Sequence, residues 1–274
     1  MKTLLQTEWL KIKNYTVFKV LVFCFIAGVI LANYIVYLIN KEVVSNTEPG
    51  KLLLNSFQPY HFEYTWLTTS YVTGCMLVLP AMLILILVTN EYTYRTGRQN
   101  IIDGWSRKDF IMVKFVLAIL MALATTILVL FTATIFGFIS GSDFSMTNIS
   151  PIGFFFVKAL TYNLFAVLIS VLVKRTGFAI GLFFIYLGAE NFLSLYLYKL
   201  SIDAKMAGHM WGDMGSYLPL SASDSLIPFP DNPIKSAAKA LGPADLMWVA
   251  FGCAVAYIIL FIWWSRRKFT KADL

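Results

Sequence analysis

Charge is scarce in this chain: Asp, Glu, Lys and Arg make up 14% of its 274 residues, against 58% apolar side chains. An ordinary soluble domain carries about a quarter charged residues, so a water-facing globule is excluded. Nucleotide chemistry is missing too, since no glycine-rich loop ends in Gly-Lys-Ser or Gly-Lys-Thr. Histidine is nearly absent. His61 and His209 stand in connecting segments without a second ligand at metal-binding spacing, and neither His-Glu-x-x-His nor Gly-x-Ser-x-Gly occurs. The three cysteines, Cys24, Cys75 and Cys253, all fall inside apolar runs. They offer neither a disulfide framework nor a metal set and read as small packing residues. No catalytic residue and no metal site is expected.

What the chain has instead is a series of apolar runs, with a mean hydropathy of +0.71. Runs of about 20 residues are long enough to cross a hydrocarbon core of roughly 30 Å. They fall at residues 17–38, 67–89, 111–139, 151–173, 178–200 and 246–264, which predicts an all-α membrane protein with six spans in a single transmembrane domain over 1–274. Pro80 lies within the second run and predicts a kink or a local break there. The third run exceeds the bilayer requirement, so it tilts or its first turns protrude. Pro151 opens the fourth, where a missing N–H does little harm. Gly177, Gly181 and Gly188 would let another helix approach the fifth closely. Before the first run, Leu5, Trp9 and Ile12 share one helical face, with Glu8, Lys11 and Lys13 on others. That stretch is either a short helix in the headgroup region or the solvated lead-in of a signal anchor.

Orientation follows from the cations. The net charge of +7 is carried by Lys and Arg flanking the apolar runs, not by one continuous basic face, which argues against nucleic acid as a partner. The amino terminus, the loop after the second span (Arg95, Arg98, Arg107, Lys108), the Lys174-Arg175 turn and the carboxyl tail are all basic. The alternate connections are not. The positive-inside rule then puts both termini in the cytoplasm.

Two charges lie deep within predicted spans. Lys158 is seven residues into the fourth and Glu190 is 12 residues into the fifth, counted from opposite faces of the membrane. At 1.5 Å per residue the two depths nearly coincide. Because the basic turn makes these spans an antiparallel hairpin, an intramembrane ion pair or shared polar contact is expected between Lys158 and Glu190. The alternative is that one of them touches a translocated ligand or a proton.

The remaining distinctive stretch is polar and sits between the second and third spans, residues 90–110, closed by Lys114. It combines several cations, several acids and a glycine break. The six-span pattern, the segment Asn90-Glu91-Tyr92, the Gly104-Trp105-Ser106-Arg107-x-x-Phe110-x-x-x-Lys114 stretch and the amino-terminal Glu8-Trp9-Leu10-Lys11 resemble permease subunits of ATP-binding-cassette transporters of the ABC-2 type, as found in bacterial exporters. The resemblance covers essentially the whole chain.

What it implies is the permease subunit of an ATP-driven exporter in the bacterial cytoplasmic membrane. The subunit would bind no cofactor of its own and would be powered by a separate cytosolic ATPase carrying ATP and Mg. Partners would be that ATPase, a second permease copy or a sister subunit, and the lipid bilayer. Residues 90–110 would be the cytoplasmic coupling helix, with Glu91, Arg95, Arg98, Gly104, Arg107 and Lys114 as coupling residues. Within it Arg95 would pair with Glu91, Arg98 and Arg107 would face the ATPase, and Gly104 would break the helix before a Ser106 cap. Residues 201–245 would form an outer re-entrant segment, with an apolar helical face from Met206, Met210, Trp211 and Met214, broken afterwards by Pro219, Pro228, Pro230 and Pro233. Two other readings stay open: an ATPase-independent transporter or channel working through Lys158 and Glu190, and a membrane scaffold with no transported substrate.

Overall fold

The computed structural model describes residues 2–44, 60–94, 96–97, 102, 104–206, 211–230 and 246–271. All regular structure among them is helical. The order is α1 (Lys2–Lys13), α2 (Thr16–Leu38) with a π-helical continuation Ile39–Val44, α3 (Phe62–Gly74), α4 (Val78–Thr93) and α5 (Arg107–Ile139). Then come α6 (Ser150–Val173), α7 (Thr176–Met206), a 3-10 turn Met214–Tyr217, the short α8 (Ser221–Asp224) and α9 (Met247–Lys271). Five helices among the described residues are long and apolar enough to cross a membrane, and the bent pair α3 and α4 makes a sixth if taken as one span.

Helix α6 is the centre. It packs against α5, α9, α4, α3 and α7, and every residue from Thr161 to Val171 is buried. A helix that is apolar on all sides has no face to give to water, and this one is enclosed by its neighbours. Its few polar side chains tie it to them. Asn163 Nδ2 donates to Ala118 O of α5 at 3.1 Å, and Ser170 Oγ donates to Leu85 O of α4 at 3.3 Å. Such interhelical bonds position helices where lipid tails give no hydrophobic drive for association. α6 ends at Lys174, whose left-handed backbone (φ 57°) turns the chain into α7.

The run expected as the second span forms two helices, and the break between them precedes Pro80. α3 and α4 meet at an angle of 44° across Cys75–Leu77. Pro80 is the third residue of α4, in the first turn, where a backbone N–H has no helical acceptor to lose. The length of α5 matches the long third run; its first residues, Arg107 to Asp109, are exposed, while Phe110, Ile111 and Lys114 are buried.

Two expectations need correction. α7 continues past Leu200 to Met206, because Ser201 lies on a buried face where its Oγ receives the Met214 N–H at 2.9 Å. The helical face expected from Met206 to Met214 is therefore not one helix: α7 stops at Met206, Trp211 is non-helical and Met214 starts a four-residue 3-10 turn, while Met210 lies outside the described residues. Among the described residues no helix comes close to the glycines of α7. A Cβ added at Gly177, Gly181 or Gly188 meets nothing within 4 Å.

One close approach in the bundle does require glycine. A Cβ at Gly137 of α5 would stand 2.6 Å from the ring of Phe62, which is itself fully buried on α3. Gly137→Val should therefore destabilise the protein by about 1–3 kcal/mol through overpacking. A thermal melt in detergent reads this out, and Phe62→Leu in the same chain should recover part of the loss.

Candidate functional site

Four charged side chains from three helices meet at the basic end of the bundle. Glu8 and Lys11 are one turn apart on α1, which places both on one face, and Lys11 Nζ lies 3.0 Å from Glu8 Oε1. Glu91 is near the end of α4 and Lys114 is two turns into α5. Lys114 Nζ donates to Glu8 Oε2 at 2.6 Å and to Glu91 Oε1 at 2.7 Å, and Lys11 reaches the same Glu91 oxygen at 3.2 Å. The Lys114 side chain is 1% exposed, those of Glu8 and Glu91 6% and 7%. Lys114 and the two acids are thus buried together, and Lys11, whose side chain is 34% exposed, brings the cluster to no net charge from its edge. Glu8 comes from the first turns of the chain and Glu91 and Lys114 from the two ends of the central loop, so the cluster holds α1 against that loop.

Aromatic rings enclose the cluster. Lys114 Nζ lies 5.1 Å from the ring centre of Phe110, which stacks on Phe269 of α9 at 5.0 Å with planes 5° apart. Tyr92 meets Phe269 edge-on, and Lys11 Nζ sits 6.0 Å from the ring of Trp105. Nearby, Asn90 Nδ2 donates to Tyr15 Oη at 2.9 Å. Amino terminus, central loop and the last turns of α9 are therefore packed as one unit.

The loop's own turn is built by local chemistry. Gly104 has φ +100°, a conformation that a side chain would strain, and Ser106 then caps α5 by accepting the Asp109 N–H at 3.1 Å. The same Ser106 hydroxyl donates to Asp109 Oδ2 at 2.7 Å. Arg107 is exposed at this corner and donates to Thr270 O at 3.2 Å.

Of the six expected coupling residues, the structure brings together Glu91 and Lys114, and both face inward. Glu91 finds its cations in Lys114 and Lys11, across helices. Arg95 and Arg98 lie outside the described residues. Glu8 was not singled out for this cluster, although the signal was present: an acid on the face of a short amphipathic helix, with Lys11 one turn on, needs a further partner once that helix is seated.

The deep charges are arranged differently from expectation. The expected pair between Lys158 and Glu190 is replaced. Among the described residues Lys158 pairs with Asp224 of α8 at 3.2 Å, and Tyr162 Oη donates to the same carboxylate at 3.0 Å. Glu190 Oε1 accepts the N–H groups of Leu220 at 2.7 Å and Ser221 at 2.6 Å, plus the Ser221 hydroxyl at 3.0 Å. The physical reason is that a short helix folds back between the two spans. Its free N-terminal amides and its carboxylate offer each charge a better-matched partner than the other charge.

A family model described as ABC-2 family transporter protein matches residues 4–190, a stretch that includes Glu8, Lys11, Glu91, Lys114, Lys158 and Glu190. No curated protein matches the chain.

The cluster makes two measurable demands. Lys114→Met leaves two carboxylates buried around one half-exposed cation, and should cost about 3–5 kcal/mol in an unfolding measurement. Glu8→Gln should cost less, because Lys114 keeps Glu91. Its pH behaviour also has a sign. Burial pushes the Glu8 carboxyl up, but Lys114 and Lys11 together outweigh it and hold it below the usual value of 4.5; burial pushes Lys11 down, and Glu91 and Glu8 outweigh it and hold it above 10.5. Stabilisation from Glu8 is present above its ordinary range and is lost only as pH falls through the lowered value, and that from Lys11 is lost only as pH rises through the raised one. Proteolytic protection of α1 should therefore fail on the acid side below the ordinary carboxylate range. In Glu8→Gln that acid-side failure should weaken.

Proposed function

Since the chain belongs to the ABC-2 family of transporter proteins, with the family model covering residues 4–190, we propose that it is the membrane permease half of an ATP-driven exporter. A separate cytosolic ATPase, which carries ATP and Mg, docks on the 90–110 loop. Both termini and that loop face the cytoplasm, six spans cross the bacterial cytoplasmic membrane, and a second permease copy or a sister subunit completes the transporter. Support for the orientation is the grouping of Lys and Arg at the loop, the Lys174-Arg175 turn and the end of α9.

The observation that carries the reading is the buried cluster of Glu8, Lys11, Glu91 and Lys114. It joins α1, the end of α4 and the start of α5 beneath an exposed corner formed by Gly104 to Arg107. A push on that corner is not absorbed by a slack loop. It is passed as a rigid displacement to α4 and α5, and through Phe110 and Phe269 to α9, around the enclosed α6. Nucleotide-driven closure of the ATPase pair is the source of such a push. Lys158 and Glu190 anchor the returning segment at the other end, which supports a structural role for them over a transport pathway through these two charges.

The test is purification of the tagged chain from its own host, with mass spectrometry of what comes along. The expected result is a stoichiometric cytosolic ATPase, lost when Arg95, Arg98 and Arg107 are changed to Glu, with membrane insertion intact. Recovery of lipid alone, or normal ATPase binding by the charge-reversed loop, would overturn the docking assignment.

A further inference from the structure

Not every cation at the basic end is neutralised. Lys11 and Lys114 are committed to Glu8 and Glu91, but a second set surrounds a cavity of about 440 Å³ between the ends of α6 and α9, with Lys174, Arg267, Lys268 and Lys271 on its wall. Among the described residues no acid lines this cavity, and none forms an ion pair with these four cations. Its volume lies within the roughly 300–1,000 Å³ of small-ligand clefts.

The other wall is apolar. Trp263 and Trp264 line it and are 55% and 43% exposed, and Val171 and Leu172 close the membrane-ward side, Leu172 being 38% exposed. The guanidinium of Arg267 is held 5.2 Å from the Trp263 ring, one helical turn back, and Lys174 Nζ is 5.6 Å from the ring of Tyr92. The left-handed cap at Lys174 is what brings this residue to the mouth of the cavity. Cations therefore converge where two spanning helices end, with an indole belt and aliphatic side chains beside them.

We propose that this cavity binds the phosphodiester headgroup of an anionic phospholipid from the leaflet at the basic end. The cations take the phosphate, and an acyl chain lies along Leu172 and the two tryptophans. A soluble anion would use the cationic wall and leave the apolar one in water. An acidic protein surface would do the same. An amphiphile satisfies both walls at once, and its chain has an open path into the hydrocarbon past Leu172. The location of this leaflet on the cytoplasmic side rests on the orientation given above; the site itself rests on the cavity.

The test is native mass spectrometry of the purified full chain titrated with tetraoleoyl cardiolipin and, separately, dioleoyl phosphatidylcholine. The anionic lipid should be retained preferentially. Each basic residue near an anionic surface contributes about fivefold in affinity, so Arg267→Gln, Lys268→Gln and Lys271→Gln together should cost on the order of a hundredfold for cardiolipin with little change for phosphatidylcholine. Lys13→Gln, Lys19→Gln and Lys199→Gln together, which remove as many charges elsewhere, should leave retention intact. Equal loss in both triple variants would show a non-specific charge effect and overturn the site. Displacement of the lipid by inorganic phosphate alone would replace the amphiphile with a free anion. If the cavity variant keeps its lipid but loses the co-purifying ATPase, the cations belong to the partner surface and the proposal falls, while the ATP-driven reading stands.

Discussion

An ammonium group and two carboxylates that leave water together must be neutralised where they meet, because an isolated charge in a dry interior carries a penalty of several kcal/mol. In this protein the requirement is met at one point, where Lys114 sits between Glu8 and Glu91 with Lys11 closing the far side. Lys114 cannot be seated until both acids are, and neither acid can be seated without α1 and α4 in place. Helix packing between apolar surfaces tolerates sliding; a charge cluster with contacts near 2.7 Å does not. The relative placement of amino terminus, central loop and third span is thus set by a polar constraint, and the apolar bundle is assembled around it.

The same logic acts at the other end with different chemistry. There the returning segment supplies Asp224 to Lys158 and two backbone amides to Glu190. A carboxylate against the N-terminus of a short helix and an ammonium against a carboxylate are both charge-assisted contacts. The bundle is therefore held by polar contacts at both ends, and the enclosed α6 runs between them, bearing Lys158 near one end and amide and hydroxyl bonds further along.

Much of this was legible in the residues. Apolar runs of membrane-crossing length marked the long helices, because burial in lipid demands length and apolarity and little else. Pro80 announced a break in the second apolar run through local backbone chemistry, and the turn at Gly104 with its Ser106 cap came with the family resemblance. Depth arithmetic on Lys158 and Glu190 correctly required polar partners but named the wrong ones. The partners come from Ser221 and Asp224 in a long connection whose return between the spans leaves no periodic trace. Glu8 was missed as the third member beside Glu91 and Lys114 for a related reason. Its nearest partner in the cluster outside α1 is 106 residues away, and no spacing rule operates over that distance.

That separation bears on how the chain is made. A ribosome adding roughly 5–20 residues per second delivers Lys114 about 5–20 s after Glu8. Throughout that interval α1 has no seat, and Glu8 has only the partly exposed Lys11 beside it. Only when the third long helix begins to emerge does the keystone arrive, so α1 is made well before the side chain that seats it. Docking of α1 is in effect a late step in biogenesis: a chain truncated before Lys114 leaves Glu8 without its buried cation and α1 without its seat.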